Sequence, residues 1–131
     1  MNALRRSLAA ATVALLIGCR GDGTGPVAGA LKVNLTTPNS GLDGAAVVVL
    51  SAPAVPGSVT PATGLTLWGG PITTASATIA LTGTLGTGTI LTLQVNDVNK
   101  VGQYSATLQQ VAASAGFGLR SLANYSLTVT K

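Results

Sequence analysis

Leu31, Val33 and Leu35 alternate with Lys32, Asn34 and Thr36, and far down the chain Tyr125, Leu127 and Val129 alternate with Ser126, Thr128 and Thr130. A period of two places every apolar side chain on one face of an extended backbone, which is the pattern of a half-buried strand and does not suit a helix. These two segments therefore anchor the reading of the chain as a β protein, with a first strand from Leu31 and a last one ending beside Lys131.

Further short strands fill the interval. Thr37 to Gly44 gathers Pro38, Asn39, Ser40, Gly41, Asp43 and Gly44 into a turn, and Ala45 to Leu50 then runs apolar without alternation, as a strand covered on both faces would. Prolines 53, 56 and 61 confine Ser51 to Thr63 to a loop or a short edge strand, and Leu65 to Trp68 resumes pairing until Gly69-Gly70-Pro71 stops it. A strand between Ile72 and Thr82, the glycine-rich Gly83 to Gly88, and a strand from Ile90 to Val95 together suggest a β-hairpin. Asn96 to Lys100 reads as a turn, because Asn and Asp side chains bond their own backbone. Tyr104, Ala106 and Leu108 alternate again, yet Leu108, Val111, Ala112 and Ala115 also fit helical spacing, leaving one short helix near 108–116 as the alternative to a strand. Short strands with turn signals every eight to twelve residues or so predict an all-β fold, a small antiparallel β-sandwich. That arrangement loosely resembles the immunoglobulin-like and cohesin-like sandwiches of bacterial surface proteins, without the Cys-Trp-Cys core of true immunoglobulin domains.

Composition supports a folded domain. The 131 residues are 47% hydrophobic and 8% charged, the reverse of the balance that keeps chains disordered. Cys19 is the lone cysteine, so no disulfide forms within one chain, and in an exported protein such a thiol points to covalent modification or pairing between chains.

The residues before Cys19 account for it. Arg5 and Arg6 precede an apolar stretch from Ser7 to Ile17, followed by the small Gly18, which is the layout of a secretory signal. Leu16-Ile17-Gly18-Cys19 resembles the lipobox of bacterial lipoprotein precursors. The resemblance implies cleavage between Gly18 and Cys19 and lipidation of the Cys19 thiol, so that the membrane is a partner through a lipid anchor. It divides the chain into a signal peptide at 1–18, a lipidated cysteine and flexible tether at 19–30, and a sandwich domain at 31–131. Arg20, where inner-membrane lipoproteins often carry Asp, favours the outer membrane of a bacterial envelope, on its periplasmic or surface face. An integral barrel fits poorly, since one Trp, two Tyr and one Phe do not make aromatic girdles. Arg20-Gly21-Asp22 matches an integrin-binding tripeptide, a coincidence expected of any three residues in a tether.

Little catalytic chemistry is on offer. The chain has no His and no Glu, Cys19 is consumed by lipid, and Asp43 and Asp97 both sit in turns, so no catalytic residue and no cofactor is assigned. Asn96, Asp97 and Asn99 could offer oxygens to calcium, but a tight site needs several carboxylates; the three are assigned to a capped turn and no metal is assigned. Counted from Cys19, five scattered bases face three acids, which excludes a basic nucleic-acid footprint. Trp68 is expected to plug the core, with an exposed platform for a glycan ring or protein partner as the alternative that makes it the candidate contact residue. By elimination the expected function is a non-catalytic binding or adhesion module of the cell envelope. A self-assembling structural subunit is the second reading, and an enzyme or small-ligand carrier the third.

Overall fold

The structure, a computed structural model, describes residues 25–69 and 71–131. Eight strands form two four-stranded antiparallel sheets packed face to face: β1 (Gly29–Thr36), β2 (Asp43–Ser51), β3 (Ser58–Pro61), β4 (Thr66–Trp68), β5 (Ser76–Leu85), β6 (Gly88–Val95), β7 (Ser105–Ala113) and β8 (Ser126–Thr130). The first sheet has the order β3-β6-β1-β8 and the second β4-β5-β2-β7. The protein is a small all-β sandwich, as the alternating segments predict.

Strand pairing is nested: β1 with β8, β2 with β7, β3 with β6 and β4 with β5. The chain behaves as one long antiparallel ribbon whose tip is the β4–β5 turn, folded over so that successive segments alternate between the layers. In immunoglobulin constant domains the first two strands share a sheet; here β1 and β2 lie in opposite sheets. The likeness to immunoglobulin domains is thus one of sandwich class and not of strand order.

Inward-facing residues of both layers build the core. Leu31, Val33 and Leu35 of β1 meet Leu91, Leu93 and Val95 of β6 within one sheet, and Ala46, Val48 and Leu50 of β2 lie beside Ile79 and Leu81 of β5 in the other. Each fully buried Leu, Ile or Val contributes about 1.5–3 kcal/mol relative to exposure. This set, completed by Leu85, Ile90 and Val111, is the principal source of stability.

The predicted hairpin across Gly83 to Gly88 does not form. β5 already pairs with β4 and β2, and β6 with β3 and β1, so neither has an edge free for the other, and Gly86-Thr87 carries the chain from one layer to the next. The helix considered near 108–116 is likewise absent: β7 is a strand through Ala113. Val47 pairs with Gln110 and Val48 with Leu108, so Gln109 is an extra residue in a β-bulge. That insertion turns both Leu108 and Val111 toward the core three positions apart, which imitates helical spacing. Among the described residues the one helix is a 3-10 segment at Val98–Gln103, overlapping what the sequence presents as a turn.

Two details also differ from expectation. β1 starts at Gly29, and the Val27 N–H is held by Asp97 while its carbonyl accepts from Val98, so the first strand begins before Leu31. The outward side chains of β2, Ala45, Val47 and Val49, are only half-buried, so β2 is covered on one face and not on both.

Candidate functional site

The two outer faces of the sandwich differ in chemistry. On the β3-β6-β1-β8 sheet the outward positions include Lys32, Asn34, Thr92, Gln94, Thr128 and Thr130, and Asn34 links its neighbours by donating to Thr130 and accepting from Thr89. Such a ladder of hydroxyls and amides is satisfied by water and by itself.

The β4-β5-β2-β7 sheet presents the opposite. Paired residues of adjacent strands share a face, so register alone lines up Trp68, Ala80, Val47 and Gln110 in one row and Thr66, Thr82, Ala45 and Ala112 in the next. Leu119 extends the second row through its bridge to Ala112. No charged residue belongs to these rows. Trp68 is 57% exposed and Leu119 72%, and they frame Ala80, Val47 and Ala45 from either side. The strip from one to the other spans about 19 Å, four strand spacings.

Trp68 is therefore not the core plug expected of a lone tryptophan. Its Nε1 donates to Thr82 Oγ1 at 2.8 Å, which fixes the indole along the outer surface. The core plug fails for a simple geometric reason: Leu67, not Trp68, has the inward parity on this three-residue edge strand, paired with the buried Leu81. The sequence flagged the residue but period-two counting over so short a strand could not fix its direction.

A polar cluster at one end of the sandwich holds the loops that border this face. Asp43 is completely buried. Its Oδ2 accepts from Thr37 Oγ1 at 2.7 Å, its Oδ1 from Arg120 Nε at 3.2 Å, and the Tyr125 hydroxyl lies 3.1 and 3.0 Å from the two oxygens. Asn39 Nδ2 donates in turn to the Tyr125 oxygen. The carboxylate thereby ties the β1–β2 loop, β2, the β7–β8 connection and the entry to β8 into one unit, and its donors replace the water lost on burial.

A bulge creates the position. Asp43 and Ala45 pair with the adjacent Ala113 and Ala112 of β7, leaving Gly44 as an extra residue, and the flip in parity aims Asp43 inward alongside Ala46. Gly44 passes so close to β7 that a Cβ would stand 2.7 Å from the Ser114 Cα. In sequence Asp43 looks like a turn residue, which conceals the cluster; the Asp-Gly dipeptide ahead of an apolar run is the available signal.

Beyond the bulge the β7–β8 connection projects Phe117, 69% exposed with φ +54°, next to Gly44, Gly83 and Ser114. Bulky residues seldom adopt that backbone conformation. Leu42, 60% exposed, stands at the same end.

Asp97 takes the capped-turn role. Its Oδ1 accepts from the backbone N–H of Asn99 at 3.0 Å and of Val27 at 3.2 Å, and these two bonds, Val27 first, hold its carboxyl below the ordinary value of 3.8. Asn99 Oδ1 instead meets Lys131 Nζ at 3.4 Å. Among the described residues no three His, Cys, Asp or Glu side chains come together, and no helix is long and apolar enough to cross a membrane. The lipobox, including Gly18 and Cys19, lies outside the described residues.

No family model matches the chain, and no curated protein or solved structure matches it.

Proposed function

We propose that this protein is a lipid-anchored, non-catalytic binding module of the bacterial envelope, held by Cys19 and docking a partner on the outer face of the β4-β5-β2-β7 sheet. The lipobox-like Leu16-Ile17-Gly18-Cys19 supports the anchor. The observation that carries the binding reading is the asymmetry of the two faces: one a polar ladder, the other an uncharged strip of Ala45, Val47 and Ala80 bordered by the exposed Trp68 and Leu119. Contiguous exposed apolar surface on a small domain marks an interaction site, and Trp is the residue most often central to one. Aliphatic neighbours around a single indole favour an apolar protein surface over a glycan, which stacks on aromatic planes and needs convergent polar groups.

The test is capture from envelope extract by the membrane-bound protein under gentle crosslinking, with Trp68→Ala and Val47→Lys as paired variants. A partner retained by the wild type and lost by both variants supports the reading. Equal capture by all three, or none by the wild type, overturns it.

Self-assembly has one observation in its favour: β8, with Leu127 and Val129, is an edge strand of its sheet. Concentration-dependent sedimentation abolished by Thr128→Pro would move the reading to a self-assembling surface subunit, since proline at an edge blocks strand addition.

A further inference from the structure

We infer that the end of the sandwich formed by the 3-10 helix docks on anionic lipid headgroups, so that the anchor fixes not just the location of the domain but its orientation; this rests on the lipid-anchor reading of Cys19. Three observations converge. Only residues 20–24 separate Cys19 from Gly25, where the described chain begins, and six Cα steps of at most about 3.6 Å keep that point within roughly 20 Å of the acylated cysteine. From there Val27 is bonded to Asp97 and Val98, so the tether enters at the 3-10 end and at no other.

Charge is sorted in the same sense. Lys100 lies in the 3-10 helix, Lys131 Nζ reaches Asn99 in it, and Lys32, paired with Thr130, stands near the start of β1. All three lysines are exposed. The acid beside them, Asp97, has its carboxylate engaged by two backbone N–H groups. At the far end Asp43 and Arg120 neutralise each other. Lysines close to a surface of phosphate-bearing lipids are attracted within a Debye length, about 8 Å in physiological salt.

Apolar exposure is divided too. Val27, 48% exposed, lies at the 3-10 end, and so does Val55, 45% exposed, in the loop whose Gly57 donates to Gln94. Two small aliphatic groups at the same end as the lysines suit the headgroup boundary, where apolar atoms sink and ammonium groups remain among phosphates. Leu42, Phe117 and Leu119 stand at the opposite end. A domain seated in this way points that end away from the bilayer and leaves its apolar sheet face accessible to the partner from the side.

The acylated protein in vesicles reports the seating. Because lipid occupies the Cys19 thiol, a cysteine introduced by Gly102→Cys or Phe117→Cys is the one available for a fluorophore; a Cβ at Gly102 enters open space. Vesicles of phosphatidylcholine alone are compared with vesicles that include phosphatidylglycerol, each with a quencher on the lipid headgroup. Quenching at 102 is expected to rise with phosphatidylglycerol, to fall in high salt, and to drop with Lys100→Gln plus Lys131→Gln, the ratio of seated to lifted domains changing on the order of thirtyfold. Quenching at 117 stays low throughout. Equal quenching at 102 in the two lipids, or an equal rise at 117, overturns the inference while leaving the anchor intact. Intact mass of the same sample separates the two failures: protein without acyl chains that stays off the vesicles removes the anchor reading and the seating with it.

Discussion

Arg120 Nε sits 3.2 Å from Oδ1 of Asp43, a contact that joins residues 77 positions apart and closes the β7–β8 connection onto the start of β2. Arg120 is 30% exposed and Asp43 is fully buried, so water can replace the partner of the guanidinium more readily than that of the carboxylate. Replacing Asp43 by Ala strips an acceptor from Arg120, Thr37 and Tyr125 together. Breaking a buried pair by removing one partner costs about 3–5 kcal/mol. Asp43→Ala is expected to lower Tm by more than 10 °C or so, given about 4–8 °C per kcal/mol for a domain of this size. Arg120→Ala leaves the tyrosine and threonine donors in place and is expected to cost about 1–2 kcal/mol. Thermal unfolding followed by circular dichroism distinguishes them; equal, small effects would contradict the assigned role of Asp43.

Gly44→Ala tests the bulge that aims Asp43 inward. With a Cβ directed at the Ser114 Cα from 2.7 Å, backbone must move against backbone, and the expected loss is about 1–3 kcal/mol. Gly102→Ala, where space is open, serves as the matched comparison and is expected to leave Tm near the wild-type value. A similar Tm for both would contradict the close approach of β2 to the β7 end.

Phe117→Asn is expected to stabilise the fold while weakening partner capture. An aromatic residue at φ +54° carries left-handed strain of about 1–2 kcal/mol, much of which Asn is spared, and its ring is exposed and contributes little to the core. Denaturant midpoints read the first effect and envelope capture the second. A fall in stability would show that the ring is an anchor of the domain itself.

Much of this architecture was legible from alternation. β1, β8 and the part of β6 beyond Ile90 follow directly from Leu31/Val33/Leu35, Leu127/Val129 and Leu91/Leu93/Val95, because a regular strand over a core has to repeat every two residues. Where bulges intervene the rule fails. Gln109 made β7 resemble a helix, and Gly44 concealed a buried Asp43 in an apparent turn. Sheet membership was hidden as well: the Gly83 to Gly88 segment has hairpin composition, and only the occupied edges of β5 and β6 decide that it crosses between layers. Trp68 could be nominated as a contact residue but not oriented, since direction on β4 is set by its register with β5.

Asp97 gives the fold a weak dependence on acid. Its carboxyl titrates below the ordinary value because the N–H groups of Val27 and Asn99 favour the charged form, so folding binds fewer protons than the unfolded chain in that range. The contribution is therefore complete above about pH 4, the carboxyl's unfolded value, and is lost as pH falls through the lower folded one. Asp97→Ala is expected to flatten the stability profile below about pH 4 and to speed amide exchange at Val27 and Asn99 at neutral pH. An unchanged profile and unchanged exchange would place the cap elsewhere.

The solitary tryptophan makes the exposed face directly readable in solution. Trp68 emission is expected at the wavelength of a hydrated indole, readily quenched by iodide, and shifted to the blue when a partner covers the strip. A shielded indole in the free protein would contradict the outward direction of β4.

The domain is proposed to be held at a membrane by Cys19, the residue that follows the signal. Intact-mass analysis of the membrane fraction, wild type against Cys19→Ala, tests it most directly. The expected wild-type mass fits cleavage before Cys19 plus acyl chains, a fit lost in the variant along with membrane association. An unacylated, soluble wild-type protein would contradict it.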